Sequence, residues 1–187
     1  NLPDGPFSLT ADSSTTGNEF SPALPTSGTS VISTDLVELN ALYYSKFQQP
    51  EAVPVVNKFN VGPKDKAILR ILPLRTGLMI LKEDGIYRLT GTNGQFNIDP
   101  FDNSAILLAP DSAVVLNNQI YMFSTQGVVT VTDTGVSVIS RPIEDQLQKI
   151  ITPAFDYKPN TFGVSYESDR AYLMWTVTNS NDTQPTQ

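Results

Sequence analysis

Asp111–Ile151 reads DSAVVLNNQIYMFSTQGVVTVTDTGVSVISRPIEDQLQKII. This is a complete supersecondary unit: four short strands joined by tight turns, then one short helix. Ala113–Leu116 pairs with Gln119–Ser124 across Asn117-Asn118, because Asn tolerates the positive φ that a two-residue hairpin turn requires. Val128–Thr132 pairs with Val136–Ser140 across Asp133-Thr134-Gly135. Val129, Val131, Val136 and Val138 alternate at period two and so share one face. Beyond them Ile143, Leu147, Ile150 and Ile151 fall at i, i+4, i+7, i+8, the apolar stripe of an amphipathic helix. Ser140 stands where an N-cap belongs, and Pro142 suits a first turn. Glu144 and Asp145 complement the positive end of the helix dipole, and Pro153 ends the element. The helix is expected to pack on an end or a face of the β structure.

Similar hairpins occur on both sides. Leu78–Lys82 pairs with Ile86–Thr90 across Glu83-Asp84-Gly85, and Gly163–Glu167 with Ala171–Val177 across Ser168-Asp169-Arg170. The second strands look alike: Gly85-Ile86-Tyr87-Arg88-Leu89, Gln119-Ile120-Tyr121-Met122-Phe123 and Arg170-Ala171-Tyr172-Leu173-Met174-Trp175. Tyr87, Tyr121 and Tyr172 are 34 and 51 residues apart. That spacing fits repeat units of roughly 40 to 50 residues carrying loop insertions. Ala41-Leu42-Tyr43-Tyr44-Ser45 reads as a degenerate further copy. The plainer explanation of the shared Tyr is that Tyr favours strands.

Composition bounds what such a scaffold can do. The chain has 187 residues, 40% of them hydrophobic and only 17% charged, with 11 Gly and 14 Pro. That is enough for one ordinary domain with a real core. Residues 1–35 are rich in Pro, Gly, Ser and Thr and read as an extended arm or linker. Residues 36–178 read as the β domain, and 179–187 as a polar tail carrying an Asn181-Asp182-Thr183 sequon. No apolar run is long enough for a membrane span. The start, NLPDGPFSLT, has neither a basic n-region nor an apolar h-region, so it does not read as a secretory signal. The missing initiator Met suggests a processed chain or one piece of a longer product.

There is no Cys and no His. Thiolate or imidazole metal sites, Cys nucleophiles and Ser-His-Asp chemistry are therefore excluded. A net charge of −7 argues against affinity for nucleic-acid phosphates. It would suit a surface from which DNA slides freely, although solubility explains it equally well. Carboxylates pair only as neighbours, at Glu83/Asp84, Glu144/Asp145 and Glu167/Asp169, where turns and a helix start account for them. A glycosidase needs two carboxylates facing across a cleft. Gly91-Thr92-Asn93-Gly94 lacks the Lys and following helix of a phosphate loop and reads as a β-turn. Lys64, Lys66 and Arg70, interrupted by Asp65, read as a solvated face. Tyr43, Tyr44, Phe47, Tyr87, Tyr121, Phe123, Tyr172 and Trp175 could line a sugar groove, but most sit in strand centres where core aromatics belong. Trp175 stays open as a contact residue. No catalytic, cofactor-binding or metal-binding residue is assigned.

A series of segments resembles a known family. It begins with Tyr43-Tyr44-Ser45-Lys46-Phe47-Gln48-Gln49-Pro50-Glu51-Ala52-Val53-Pro54 and continues with the hairpin Gly77–Gly91, GLMILKEDGIYRLTG. Ala109-Pro110-Asp111-Ser112 follows, then the Asn117–Val129 hairpin with its Ser124-Thr125-Gln126-Gly127-Val128. Ile139-Ser140-Arg141-Pro142-Ile143-Glu144 and Val164–Leu173, VSYESDRAYL, complete it. In this order they are similar to the tail nozzle, or tail tubular protein B, of short-tailed bacteriophages, over roughly residues 40 to 177. The resemblance implies a virion protein of the phage tail, made in the host cytoplasm and carrying a β-propeller. It implies a six-fold ring of copies below the portal and adaptor that seats tail fibres or spikes. DNA would pass through the lumen without specific binding, and the family brings no catalytic residue and no cofactor. Nozzle proteins are several times longer than this chain. Units of this size allow about three here, whereas a closed propeller has roughly four to eight.

The expected fold is thus mainly β, with antiparallel sheets of propeller-blade type forming a partial β-propeller, and one short α-helix near 143–151. The expected function is a structural segment of a phage tail nozzle, not an enzyme. The alternative is a carbohydrate- or receptor-binding β domain of a phage tail or adhesin.

Overall fold

The computed structural model describes residues 38–92, 95–152, 157–178 and 185. The expected arm, Asn93-Gly94, Pro153 and the sequon lie outside them. Leu39–Gln187 forms a compact unit. Among its described residues it is mainly β, all strand pairs are antiparallel, and there is one short α-helix.

The strands form four sheets that follow one another along the chain. The first is a pair, β1 (Ala41–Tyr43) with β2 (Lys58–Asn60). The second is a four-stranded meander of β3 (Ile68–Leu74), β4 (Gly77–Lys82), β5 (Gly85–Thr92) and β6 (Gln95–Asp102). The third is another four-stranded meander, of β7 (Val114–Leu116), β8 (Gln119–Ser124), β9 (Gly127–Thr132) and β10 (Gly135–Val138). The fourth is the hairpin of β11 (Phe162–Tyr166) and β12 (Ala171–Trp175). The helix α1 (Glu144–Ile151) lies between the third and fourth. Among the described residues no helix is long and apolar enough to cross a membrane.

Two-residue turns set the registers. Leu116 faces Gln119 across Asn117 and Asn118, whose φ angles are 51° and 60°. This is the doubly left-handed turn whose twist matches that of the flanking strands. Lys82 faces Gly85, and Thr132 faces Gly135. Both turns are therefore one residue tighter than the sequence suggests, and each Gly is the first residue of the returning strand.

Packing proceeds sheet on sheet in chain order. In β4, Met79 and Leu81 join Ile86 in a core shared with Ile120, Met122, Val129 and Val131 of the third sheet. Val136 and Val138 pack on the same core, so the valine face is as expected. Ile80 and Leu89, on the opposite face of the second sheet, pack against Leu42 and Phe59 of the first. Phe123 and Val128, on the opposite face of the third, meet Leu147 and Ile150 of α1 and Tyr172 and Met174 of β12. The middle strands thus have apolar partners on both faces, which is why they read as near-continuous apolar runs. The meanders also run in the same direction: β3 contacts β7, β7 contacts β11, and β6 contacts β10. The first strands of three successive sheets accordingly share one side of the stack.

Two local expectations are corrected. Ser140 does not cap the helix. Its Oγ accepts the Val128 N–H at 3.0 Å, tying β9 to the chain that leaves β10, and a 3₁₀ turn over Arg141–Ile143 leads into α1. Gly127 fits this arrangement because its φ is 104° and a Cβ there would run into Ser140 Oγ. The Tyr strands are also not all equivalent. Tyr121 and Tyr172 sit on the second strands of their sheets, whereas Tyr87 sits on the third strand of its own, because β3 precedes the hairpin. The Tyr-bearing hairpins β4–β5 and β7–β8 therefore stand at different places in their meanders.

Candidate interaction surfaces

The polar groups closest to a reactive arrangement surround Lys82. This side chain is fully buried. Its Nζ donates to the carbonyls of Val61 at 2.7 Å and Pro63 at 3.1 Å, and lies 3.5 Å from Asp84 Oδ1. It also sits 5.3 Å from the centre of the Tyr87 ring. The Tyr87 hydroxyl donates to Asp84 Oδ2 at 2.7 Å. Burial, and then the neighbouring Asp84 carboxylate, pushes the Tyr87 pKa up to about 12. Lys82 thus holds the 61–63 segment against β4, and the Tyr87 hydroxyl is engaged with Asp84 beside it.

The other sequence candidates are separated. Glu83 accepts the Ala67 N–H through its side chain. Glu144 and Asp145 occupy the first turn of α1. Glu167 and Asp169 sit in the exposed β11–β12 turn. Asp102 folds back on its own turn: burial alone would raise its pKa, but the N–H groups of Ala105 and Ser104 and the Ser104 hydroxyl outweigh it and hold the carboxyl low. Arg70 is not part of a solvated basic face. It lies on β3 and reaches Asp111 Oδ1 and the Pro110 carbonyl, both at 3.0 Å. Among the described residues no group of three or more acidic side chains could hold a metal ion.

What remains is surface, and it is uneven. At the first end of the stack, Tyr44 stacks on Phe59 at 4.8 Å, and both rings meet Phe96 edge-on at 5.3 Å. Beside this trio lies an open groove of about 810 Å³, lined by Tyr44, Lys46, Phe47 and Phe96 among others. The chain between β1 and β2 leaves Phe47, Val55 and Val56 77%, 80% and 87% exposed.

At the other end, β11 alternates strictly and β12 does so from Tyr172 onward. Gly163, Ser165, Tyr172 and Met174 face inward; the Tyr172 hydroxyl donates to the Ser112 carbonyl at 2.9 Å, and its ring stacks on Tyr121 at 5.6 Å. Burial raises the pKa of that hydroxyl. Phe162, Val164, Tyr166, Leu173 and Trp175 face outward and are exposed. They are cross-strand neighbours: Phe162 pairs with Trp175 and Val164 with Leu173, and the first two rings stack at 5.4 Å. The outward face of this hairpin is therefore its more apolar one.

Of the eight aromatics singled out by sequence, Phe123 is core, while Tyr43 and Phe47 are exposed and Trp175 belongs to the outer hairpin face. Sequence reading passed over Phe162, Val164 and Leu173. The signal was present in Ala171–Trp175, AYLMW, which is apolar on both faces of a strand. No protein-family model matches the chain, and no curated protein matches it.

Proposed function

We propose that this chain is a structural component of a phage tail, a segment of a nozzle that works by shape and assembly. The observation that carries the reading is the stack: successive antiparallel meanders packed face to face in chain order, with first strands β3, β7 and β11 along one side. That is how propeller blades follow one another around an axis, so the stack supports reading the sheets as blades of a partial β-propeller. The family-like segments fall on it in register, with Gly77–Gly91 forming β4–β5 and Asn117–Val129 spanning β8 and the start of β9. The absence of His and Cys and the scattering of the carboxylates support a role without catalysis. In this reading copies assemble into a ring beside the portal, adaptor and fibre or spike proteins, and DNA passes through without specific binding. The test is to purify phage particles made from the native genome and locate the protein. Its presence in virions, with gold-labelled antibody at the tail, is expected; particles lacking it overturn the reading.

A second reading, a carbohydrate- or receptor-binding domain, is favoured by the stacked Phe162–Trp175 pair on an open face. Flat aromatic surfaces of this kind suit sugar rings. A glycan-array signal lost in Trp175→Ala, with unfolding unchanged, would support it.

A further inference from the structure

We infer that the groove beside Tyr44 and Phe96 binds a carboxylate-bearing sugar chain, a glycan with uronate or similar acidic units. Such a site is independent of the assembly role proposed above and separate from the Phe162–Trp175 pair. The groove measures about 810 Å³, within the roughly 300–1,000 Å³ of small-ligand sites. Its wall is organised by the chain itself. The Tyr44 N–H donates to the Asn57 carbonyl at 3.1 Å, the Lys46 N–H to the Ala52 carbonyl at 2.8 Å, and the Gln49 N–H to the Lys46 carbonyl at 3.1 Å. Gln48 is kept at a φ of 58° in that last turn, a left-handed position that Gly or Asn takes more readily. A residue of the lining is thus held in an unfavoured backbone state, as residues of ligand clamps often are.

The lining has the two parts a sugar site needs. Tyr44, Phe47 and Phe96 supply aromatic surface, on which the apolar C–H face of a pyranose ring can pack. Ser45, Gln48 and Asn57 supply one hydroxyl and two amides. These groups both donate and accept hydrogen bonds, as sugar hydroxyls do. Among the described residues none of these three side chains, nor that of Lys46, has a hydrogen-bond or ion-pair partner. A ligand can therefore engage all four without breaking a contact of the fold.

Charge selects the kind of sugar. Lys46 alone among the lining residues is charged, and no carboxylate faces it there. It belongs to a basic stretch: residues 39–66 hold four Lys against one Glu and one Asp in a chain of net charge −7. An acidic ligand is drawn to this part of an otherwise acidic molecule, and one ammonium suits one carboxylate. The same ratio separates a sugar from a nucleic acid. A strand of phosphates needs a row of cations, whereas this lining offers one cation beside three uncharged hydrogen-bonding side chains. An acidic sugar has that excess of hydroxyls over charge.

Calorimetric titration of the full chain tests this. The probes are tetragalacturonate and trisialic acid, the methyl ester of each, and an oligothymidylate of similar length. At least one acidic sugar is expected to bind at millimolar concentration or below, about fivefold more tightly than its ester, the discrimination an exposed ion pair supplies. Lys46→Gln is expected to abolish that preference. Phe47→Ala is expected to weaken acid and ester alike by about tenfold, the loss of one aromatic contact. Both side chains are exposed, and urea unfolding of each variant checks that it is folded; Gln48→Ala, with a smaller loss for acid and ester alike, serves if either is not. Trp175→Ala is expected to bind as the wild type does. Failure of both acidic sugars to bind overturns the inference, as does equal binding of acid and ester. So does binding lost in Trp175→Ala but kept in Phe47→Ala, or tighter binding of the oligothymidylate than of either sugar. None of these results touches the presence of the protein in virions, so the assembly role and this site fail separately.

Discussion

The β9–β10 and β11–β12 hairpins have the same pattern and opposite surroundings. In the first, Val129 faces Val138 and Val131 faces Val136, and this plane lies in the core against the second sheet. In the second, Phe162 faces Trp175 and Val164 faces Leu173, and this plane meets solvent. Cross-strand apolar pairs stabilise both ladders locally, by about 0.2–1 kcal/mol each. Only the first adds the burial of a fully covered core, roughly 25 cal/mol per Å² of apolar surface. Period-two alternation therefore identifies an apolar face but not what covers it.

The sharpest way to break this contrast is to truncate a side chain on each side of it. Phe123 is fully buried between the third sheet and α1. Phe123→Ala is expected to cost about 3–5 kcal/mol in urea unfolding, the sum of lost transfer energy and an incompletely collapsed cavity. A cost below about 1 kcal/mol would mean that the third sheet is not the covered centre of the stack.

Next in size is Lys82, the one buried charge of the second sheet. Lys82→Met keeps the apolar stem and removes the ammonium, leaving the Val61 and Pro63 carbonyls without this donor. A loss of about 2 kcal/mol is expected, within the range for buried polar groups left unsatisfied. An equally stable Lys82→Met protein would show that the 61–63 segment is held by Val61 packing alone.

Much of this arrangement was legible because local rules and tertiary packing agree. The Asn117-Asn118 turn, the valine plane and the α1 stripe each follow from steric or periodic requirements within ten residues or so. Three strands, β2, β3 and β6, were missed for the opposite reason, and β1 was read only as a degenerate copy of the Tyr strands. β1 and β2 are three residues each and separated by a long insertion. β3 contains Pro73 and β6 contains Pro100. Proline inside a run argues against a strand, yet both lie at the edges of their sheet, where the missing N–H costs no ladder bond. Ser140 was misread because capping and bridging use the same hydroxyl, and only the folded position of Val128 decides between them. The interaction surfaces were the least legible feature, since coverage depends on what packs there rather than on the strand itself.

A smaller effect separates the second sheet from the rest by pH. The Tyr87 hydroxyl has an ordinary pKa of 10 and is pushed up to about 12 in the folded protein. The folded chain holds this proton more tightly than the unfolded chain does, so stability falls with rising pH wherever the unfolded chain has released it and the folded chain has not. The contribution is fully present below pH 10 and disappears as pH rises from 10 to 12. Unfolding midpoints should fall over that window, and less steeply in Tyr87→Phe. Tyr172, raised by burial alone, acts in the same direction, so the double variant Tyr87→Phe/Tyr172→Phe should be flatter still. A wild-type slope unchanged in both variants would place the alkaline loss elsewhere.

The smallest expected effect is the most informative about the exposed hairpin. Leu173→Ser removes an apolar side chain from the middle of β12, a position where a covered sheet would lose several kcal/mol. Here Leu173 is 44% exposed, with Val164 as its cross-strand partner. Only that pair and a partial burial are at stake. The stability of the isolated chain should change by no more than about 0.5 kcal/mol, the usual range for surface substitutions. If Leu173→Ser unfolds the chain as severely as Phe123→Ala, the outer face is already covered within one copy, and the contrast between the two hairpins disappears.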